Sequence, residues 1–135
     1  MEEGKYLLDT HCLLWVSDEF ERFSPKVLNI IRDSNNELFF SQTSLFEIAI
    51  KLKIGKLPEA KGKLSDLVEL LLQNKFTHLP LDTSHLIAYD NTPLFAEHRD
   101  PFDRILVAQA FTEDIPIITI DPKFQLYTNL VSVIW

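Results

Sequence analysis

Tyr6-Leu7-Leu8-Asp9-Thr10-His11-Cys12-Leu13-Leu14-Trp15-Val16 is the stretch on which the fold turns. Its first three residues are a short apolar run that stops at an aspartate, and the apolar residues from Cys12 to Val16 follow too closely to form a second strand. The reading is a strand, an acidic turn and a short helix. A matching pattern stands near the other end of the chain. Ile115 to Ile120 is almost wholly apolar, and Asp121-Pro122 then opens a short helical turn, with proline at the first helical position.

The residues between these two strands alternate in the same way. Ser24-Pro25 caps a helix whose apolar face is Val27, Leu28, Ile30 and Ile31, running to about Asp33. Asn35-Asn36 is turn chemistry, and Leu38 to Phe40 is a β-prone run ending at Ser41. From Ser44, the residues Leu45, Ile48, Ala49 and Leu52 recur at helical spacing until Gly55 ends the helix and Pro58 prevents its resumption. Glu47 is thereby expected near a helix start. Leu64 to Leu72 is again helical, Phe76 to Leu81 reads as a strand, and Thr83-Ser84 caps a short helix through Tyr89. Asn91 to Arg99 is a loop, Asp100-Pro101 starts a helix through Phe111, and Val131 to Ile134 adds an edge strand. Strands and helices in alternation, with strands apolar on both faces, specify an α/β domain whose parallel sheet is covered on each side.

Composition narrows the class. A chain of 135 residues that is 46% hydrophobic can bury one core, so one domain over residues 1–135 is expected. Met1 to Lys5 has two glutamates and no apolar leader core, and no apolar stretch approaches the ~20 residues of a membrane span. A soluble, cytoplasmic protein follows, and the single cysteine, Cys12, reads as a small core residue. Three glycines and no glycine-rich phosphate loop disfavour nucleotide binding. The net charge of -7 opposes nucleic-acid binding by bulk attraction. Lys51, Lys53, Lys56, Lys61 and Lys63 nevertheless face only Glu59 across one stretch, a candidate phosphate-contacting surface or simply a solvated helix face and loop.

Chemistry therefore has to come from side chains. In an open parallel sheet, ligands bind beyond the carboxyl ends of the strands, the position of both Asp9 and Asp121. Either could be no more than a helix cap. Asp103 takes the third helical position after the Asp100 cap, where a capping-box role is its plain alternative. Glu47 could pair with Lys51 one turn later, yet it lies between Phe46 and Ile48 on a largely apolar helix, where a carboxylate is costly unless it faces a polar pocket. The helix dipole favours an anion in a first turn, the place expected for both Glu47 and Asp103. Three or four convergent acids suit Mg2+ or Mn2+, which take oxygen ligands, activate bound water and stabilise charge on a phosphate. Zinc, through His11 or His98, ranks below them.

Four segments then carry a family likeness. Leu7-Leu8-Asp9-Thr10-His11, Ser41-Gln42-Thr43-Ser44 with Glu47-Ile48, His98-Arg99-Asp100-Pro101-Phe102-Asp103-Arg104 with Ala108-Gln109-Ala110, and Thr119-Ile120-Asp121 together resemble the PIN-domain VapC-type toxins. The resemblance runs essentially end to end. It implies a three-layer α/β/α domain with a mainly parallel sheet of four to five strands. It also implies a Mg2+- or Mn2+-dependent endoribonuclease, the toxin of a toxin–antitoxin pair, forming a homodimer and silenced by a VapB-type antitoxin. By the same likeness Asp9, Glu47, Asp103 and Asp121 are catalytic metal ligands, supported by Thr119, Ser44 and Thr10, while Arg99, Arg104, His98 and Lys51 contact RNA.

Two other classes remain open from the residues. One is a catalytically silent PIN-fold module that binds RNA or protein, against which the complete acid set counts. The other is a phosphohydrolase using Asp9 as nucleophile, although that chemistry commonly wants a second aspartate two positions on, where His11 stands.

Overall fold

The computed structural model describes residues 4–57 and 62–135. The expected helix stop at Pro58, and the contributions of Glu59 and Lys61 to the lysine stretch, lie outside the described residues. The described strands are β1 (Lys5–Leu8), β2 (Glu37–Ser41), β3 (Thr77–Leu79), β4 (Ile117–Ile118) and β5 (Val133–Ile134). They form one sheet in the order β3-β2-β1-β4-β5, with every neighbouring pair parallel. The helices are α1 (Thr10–Asp18), α2 (Pro25–Arg32), α3 (Gln42–Lys53), α4 (Leu64–Gln73), α5 (Thr83–Asp90) and α6 (Pro101–Glu113), with 3-10 turns at Phe20–Arg22 and Pro122–Tyr127. The expected α/β/α architecture is thus realised with five strands.

Side chains alternate across the pleat and build two cores. Leu8 and Ile118 join Cys12, Leu13, Val16, Val27, Phe40 and Leu71 on the face covered by α1, α2 and α4. Leu7 and Ile117, their immediate neighbours, join Leu106, Val107, Ala110, Phe124 and Tyr127 on the face covered by α6 and the Pro122–Tyr127 turn. Two-sided burial explains why these strands are apolar throughout rather than alternating. Helix α3 touches α1 and α4 of one layer and α6 of the other.

Caps set the element boundaries. Ser24 accepts from the Val27 amide, as its place before Pro25 predicts. Gly55, at φ 71, closes α3 with paired amide bonds from Gly55 to Leu52 and from Lys56 to Lys51. Lys75 and Asp114 do the same for α4 and α6 in the left-handed region without being glycine. Their caps consume the Phe76 and Ile115 amides, which donate to Leu71 and Ala110. That is why β3 and β4 are shorter than the apolar runs Phe76 to Leu81 and Ile115 to Ile120; Pro80 and Pro116 also lack the amide a ladder needs. The cap of α5 is Asp82, one residue before the expected Thr83-Ser84.

The order places a topological switch between β1 and β4, since the chain winds outward to β3 on one side and to β5 on the other. The crevice beyond those carboxyl ends is where such a sheet binds ligands. Leu8 sits at its base, fully buried. Leu8→Ala should therefore cost about 2–5 kcal/mol of stability, measured by urea unfolding. A loss under about 1 kcal/mol would contradict the packing described.

Candidate metal centre at the switch point

Asp9 follows β1 directly and is only 4% exposed. Its Oδ1 accepts from the Cys12 amide at 2.9 Å, capping α1, and its Oδ2 accepts from the Thr119 hydroxyl. The Thr119 oxygen in turn accepts from the Asp121 amide at 3.0 Å. One threonine thereby ties together the two strand-end acids. Asp121 is half-buried and does cap the last turn, its Oδ1 accepting from the Lys123 amide at 2.9 Å.

Glu47 enters from α3, 3% exposed. Ser41 caps that helix, so Glu47 lies in its second turn, and the expectation of a dipole-favoured first-turn anion is corrected for this residue. It is held instead by side chains. Thr10 Oγ1 donates to Glu47 Oε1 at 3.0 Å and lies 3.0 Å from Ser44 Oγ, while Lys51 Nζ donates to Oε2 at 2.7 Å. Asp103 enters from the first turn of α6, whose cap Asp100 accepts from the Phe102 and Asp103 amides. The Asp103 carboxylate does not turn back to form a capping box. Its Oδ2 stands 3.0 Å from His98 Nε2.

The charges are coupled. Burial first, then Asp100, Glu47, Asp9 and Asp121, push the Asp103 carboxyl up to about 8 from its ordinary 3.8. Burial also raises Asp9, against the pull of Thr119, Cys12 and His11. Lys51 is raised chiefly by its hydrogen bond to Glu47 and also senses Asp100 and Asp103. The other three expected acids all act on Asp103, and so does a fifth, Asp100, whose contribution beyond capping the sequence did not suggest. Among the described residues, no three His, Cys, Asp or Glu side chains stand together as a ready-made metal-holding group. The donors fit a hard divalent ion that keeps several waters and touches one or two carboxylates. They are oxygen donors only, and burial works against the charged forms of Asp9 and Asp103.

The expected substrate contacts divide. His98 is 2% exposed with both ring nitrogens engaged, so it holds Asp103 and neither meets substrate nor offers a nitrogen to zinc. Arg104 is 5% exposed and donates to the Tyr89 hydroxyl at 2.9 Å and the His98 carbonyl at 2.7 Å, an internal strut rather than a phosphate clamp. Lys51 is committed to Glu47, the pairing its spacing allowed. Arg99 is exposed, as are Lys53, Lys56 and Lys63. With both oxygens of Asp9 hydrogen-bonded and the residue buried, that carboxylate is poorly placed to act as a nucleophile. Within the Ala108-Gln109-Ala110 segment, buried Gln109 accepts from Ser41 and fastens α6 to the end of β2.

Comparison with known proteins bears on the fold and family of the chain. The PIN domain family profile matches residues 6–130. A chain of VapBC2 from Rickettsia felis, solved bound to a promoter DNA fragment, superposes with a TM-score of 0.69 at 13% identity, covering 97% of this chain and 98% of that one. DNA-bound VapBC from Salmonella typhimurium gives 0.62 at 19% identity, covering 97% of each chain. FitAcB from Neisseria gonorrhoeae gives 0.58 at 21% identity, covering 96% of each. Among curated protein sequences none matches.

The raised acids set a pH dependence with a definite sign. Asp103 binds its proton more tightly folded than unfolded, so folding loses stability as pH rises from near the ordinary 3.8 to about 8. Chemical denaturation of chelator-treated protein should show stability falling across that window, by up to about 1.4 kcal/mol per pH unit for each such group. A flat or rising profile would show the Asp103 carboxyl to be less buried than described.

Proposed function

The chain belongs to the PIN domain family, and from that premise we propose that it is a Mg2+- or Mn2+-dependent endoribonuclease, the toxin of a toxin–antitoxin pair. The observation that supports this reading is the Asp103 carboxyl, raised to about 8 among four other acids at the carboxyl edge of the sheet. Such a site is incomplete without cations. Asp9, Glu47, Asp103 and Asp121 would hold the ion, in part through water. Once bound, it would supply an activated water and offset charge on the scissile phosphate.

The protein's own contribution is positional. Thr119 fixes Asp9 against the Asp121 backbone, and Thr10 with Ser44 fixes Glu47 against α1. Lys51 Nζ fixes the other Glu47 oxygen, donating to Oε2 at 2.7 Å. Exposed Arg99, next to Asp100, is the guanidinium best placed for an RNA phosphate, which its planar fork can meet bidentately. Lys53, Lys56 and Lys63 extend that cationic surface.

Partners follow from the same premise. The VapBC and FitAcB chains of like fold support a VapB-type antitoxin as partner. A homodimer is supported by Phe46, Ile50 and Ile54, exposed apolar residues spaced one turn apart on α3 and its cap. No helix among the described residues is long and apolar enough to cross a membrane, and we place the protein in the cytoplasm.

The test is RNA cleavage in Mg2+ or Mn2+ with sequenced products. Asp9→Asn and Asp103→Asn should each fall about 100-fold or more, the scale of losing one charge contact in the transition state, while remaining folded by circular dichroism. Equal activity in either variant would overturn the assignment. Absence of Mn2+ uptake by the antitoxin-free wild type would instead favour the silent binding module.

A further inference from the structure

We propose that Tyr127 and His98 form a positioning pair for Asp103, in which the Tyr127 hydroxyl fixes the His98 ring so that Nε2 carries its proton and donates to Asp103 Oδ2. The purpose of the pair rests on the metal-site reading above; its geometry does not. His98 Nδ1 lies 2.8 Å from the Tyr127 hydroxyl and Nε2 lies 3.0 Å from Asp103 Oδ2, so the ring bridges the two. The bridge joins the turn that follows Asp121 to the helix start that bears Asp103. The acid on α6 is thereby placed relative to the acid beyond β4, across the strand that separates them in the chain.

The direction of the hydrogen bonds follows from donor inventories. In its ionised form, the one that can hold a cation, Asp103 only accepts, so the nitrogen facing it then holds the ring proton. A neutral imidazole then has a lone pair on Nδ1, and Tyr127 must donate to it. The Arg104 guanidinium also acts on the Tyr127 hydroxyl. A guanidinium has only donors, so it does not compete for the phenol proton, which stays available to His98. Arg104 also donates to the His98 carbonyl at 2.7 Å, steadying the backbone of the same residue. Ring packing holds the imidazole in place: Phe124 and Tyr127 lie 5.7 and 5.4 Å from it, centroid to centroid.

The consequence lies at Asp103. With Oδ2 taken by His98, Oδ1 is the oxygen left for a cation, and the carboxylate does not have to be ordered when an ion arrives. Groups of this kind behind a ligating carboxylate typically change metal affinity about 10–100-fold. Packing alone would be served as well by phenylalanine at position 127, since Tyr127 is fully buried among apolar neighbours. The hydroxyl is the part that packing does not explain.

Two measurements on the full chain test the pair. Nitrogen NMR of the His98 ring in metal-free protein, at about pH 9 where Asp103 is ionised, should show the proton on Nε2. Tyr127→Phe should lose that single tautomer and bind Mn2+ about 10-fold more weakly by titration calorimetry. His98→Gln, which keeps an amide donor, should retain Mn2+ affinity better than His98→Leu. A wild-type proton on Nδ1, or a Tyr127→Phe protein with unchanged tautomer and unchanged Mn2+ affinity, would overturn the proposal. If the wild type takes up no Mn2+, the ribonuclease reading fails, and the tautomer of the wild-type ring still decides the pair on its own.

Discussion

Burying a carboxylate at the end of the central strand constrains the molecule more than any other single choice in its sequence. Asp9 can occupy that place only because the Cys12 amide and the Thr119 hydroxyl each satisfy one of its oxygens. The first bond is local and starts α1. The second spans 110 positions of sequence and is possible only when β4 lies beside β1. The charge that costs most to bury is thus also a register pin for the two strands at the switch point. Thr10, the next residue, extends the arrangement sideways to Ser44 and Glu47. Strand pairing, helix start and site geometry share the same few side chains.

These connections set stability against site chemistry. The two cores are apolar, and they adjoin a site where four other acids act on the buried Asp103 carboxyl. Replacing members of the cluster with neutral residues would relax the repulsion and empty the site of its chemistry. Proteins retain such local conflict where function needs it, and the rest of the fold has to be stable enough to hold it. Arg104 shows how the conflict is contained. A guanidinium inserted under the cluster bonds Tyr89 and the His98 backbone, so a cation close to the acids is spent on structure.

Much of this was legible in the residues, for reasons that can be named. Strands buried on both faces leave uninterrupted apolar runs, and those ending at Asp9 and Asp121 mark the sheet edge. Ser24, Asp100 and Gly55 announce helix ends through local chemistry that needs no tertiary context. The extents of β3 and β4 were not legible, because Lys75 and Asp114 adopt left-handed conformations that residue type does not advertise. Ser41 rather than Ser44 caps α3, which moved Glu47 one turn inward. The partner of His98 was invisible in principle: Tyr127 stands 29 residues away with nothing in its surroundings to distinguish it from a core aromatic. Arginine, histidine and aspartate crowded into one segment signal a site, yet the segment does not reveal which of them face inward.

That inward or outward choice bears on how an acidic protein would meet RNA. Of the basic residues the sequence brings to the site, His98 and Arg104 are buried and Lys51 is paired, which leaves Arg99 and the outlying lysines. Few phosphate contacts mean little counterion release and little salt-dependent affinity. On the proposed reading, attraction for the substrate then has to come largely from the ions in the crevice, so that the groups needed for chemistry are also the ones that hold RNA. Regulation becomes simple under that arrangement. A partner that places a cation of its own among the five acids would neutralise the field and occupy the substrate's place in one step, without any change in fold.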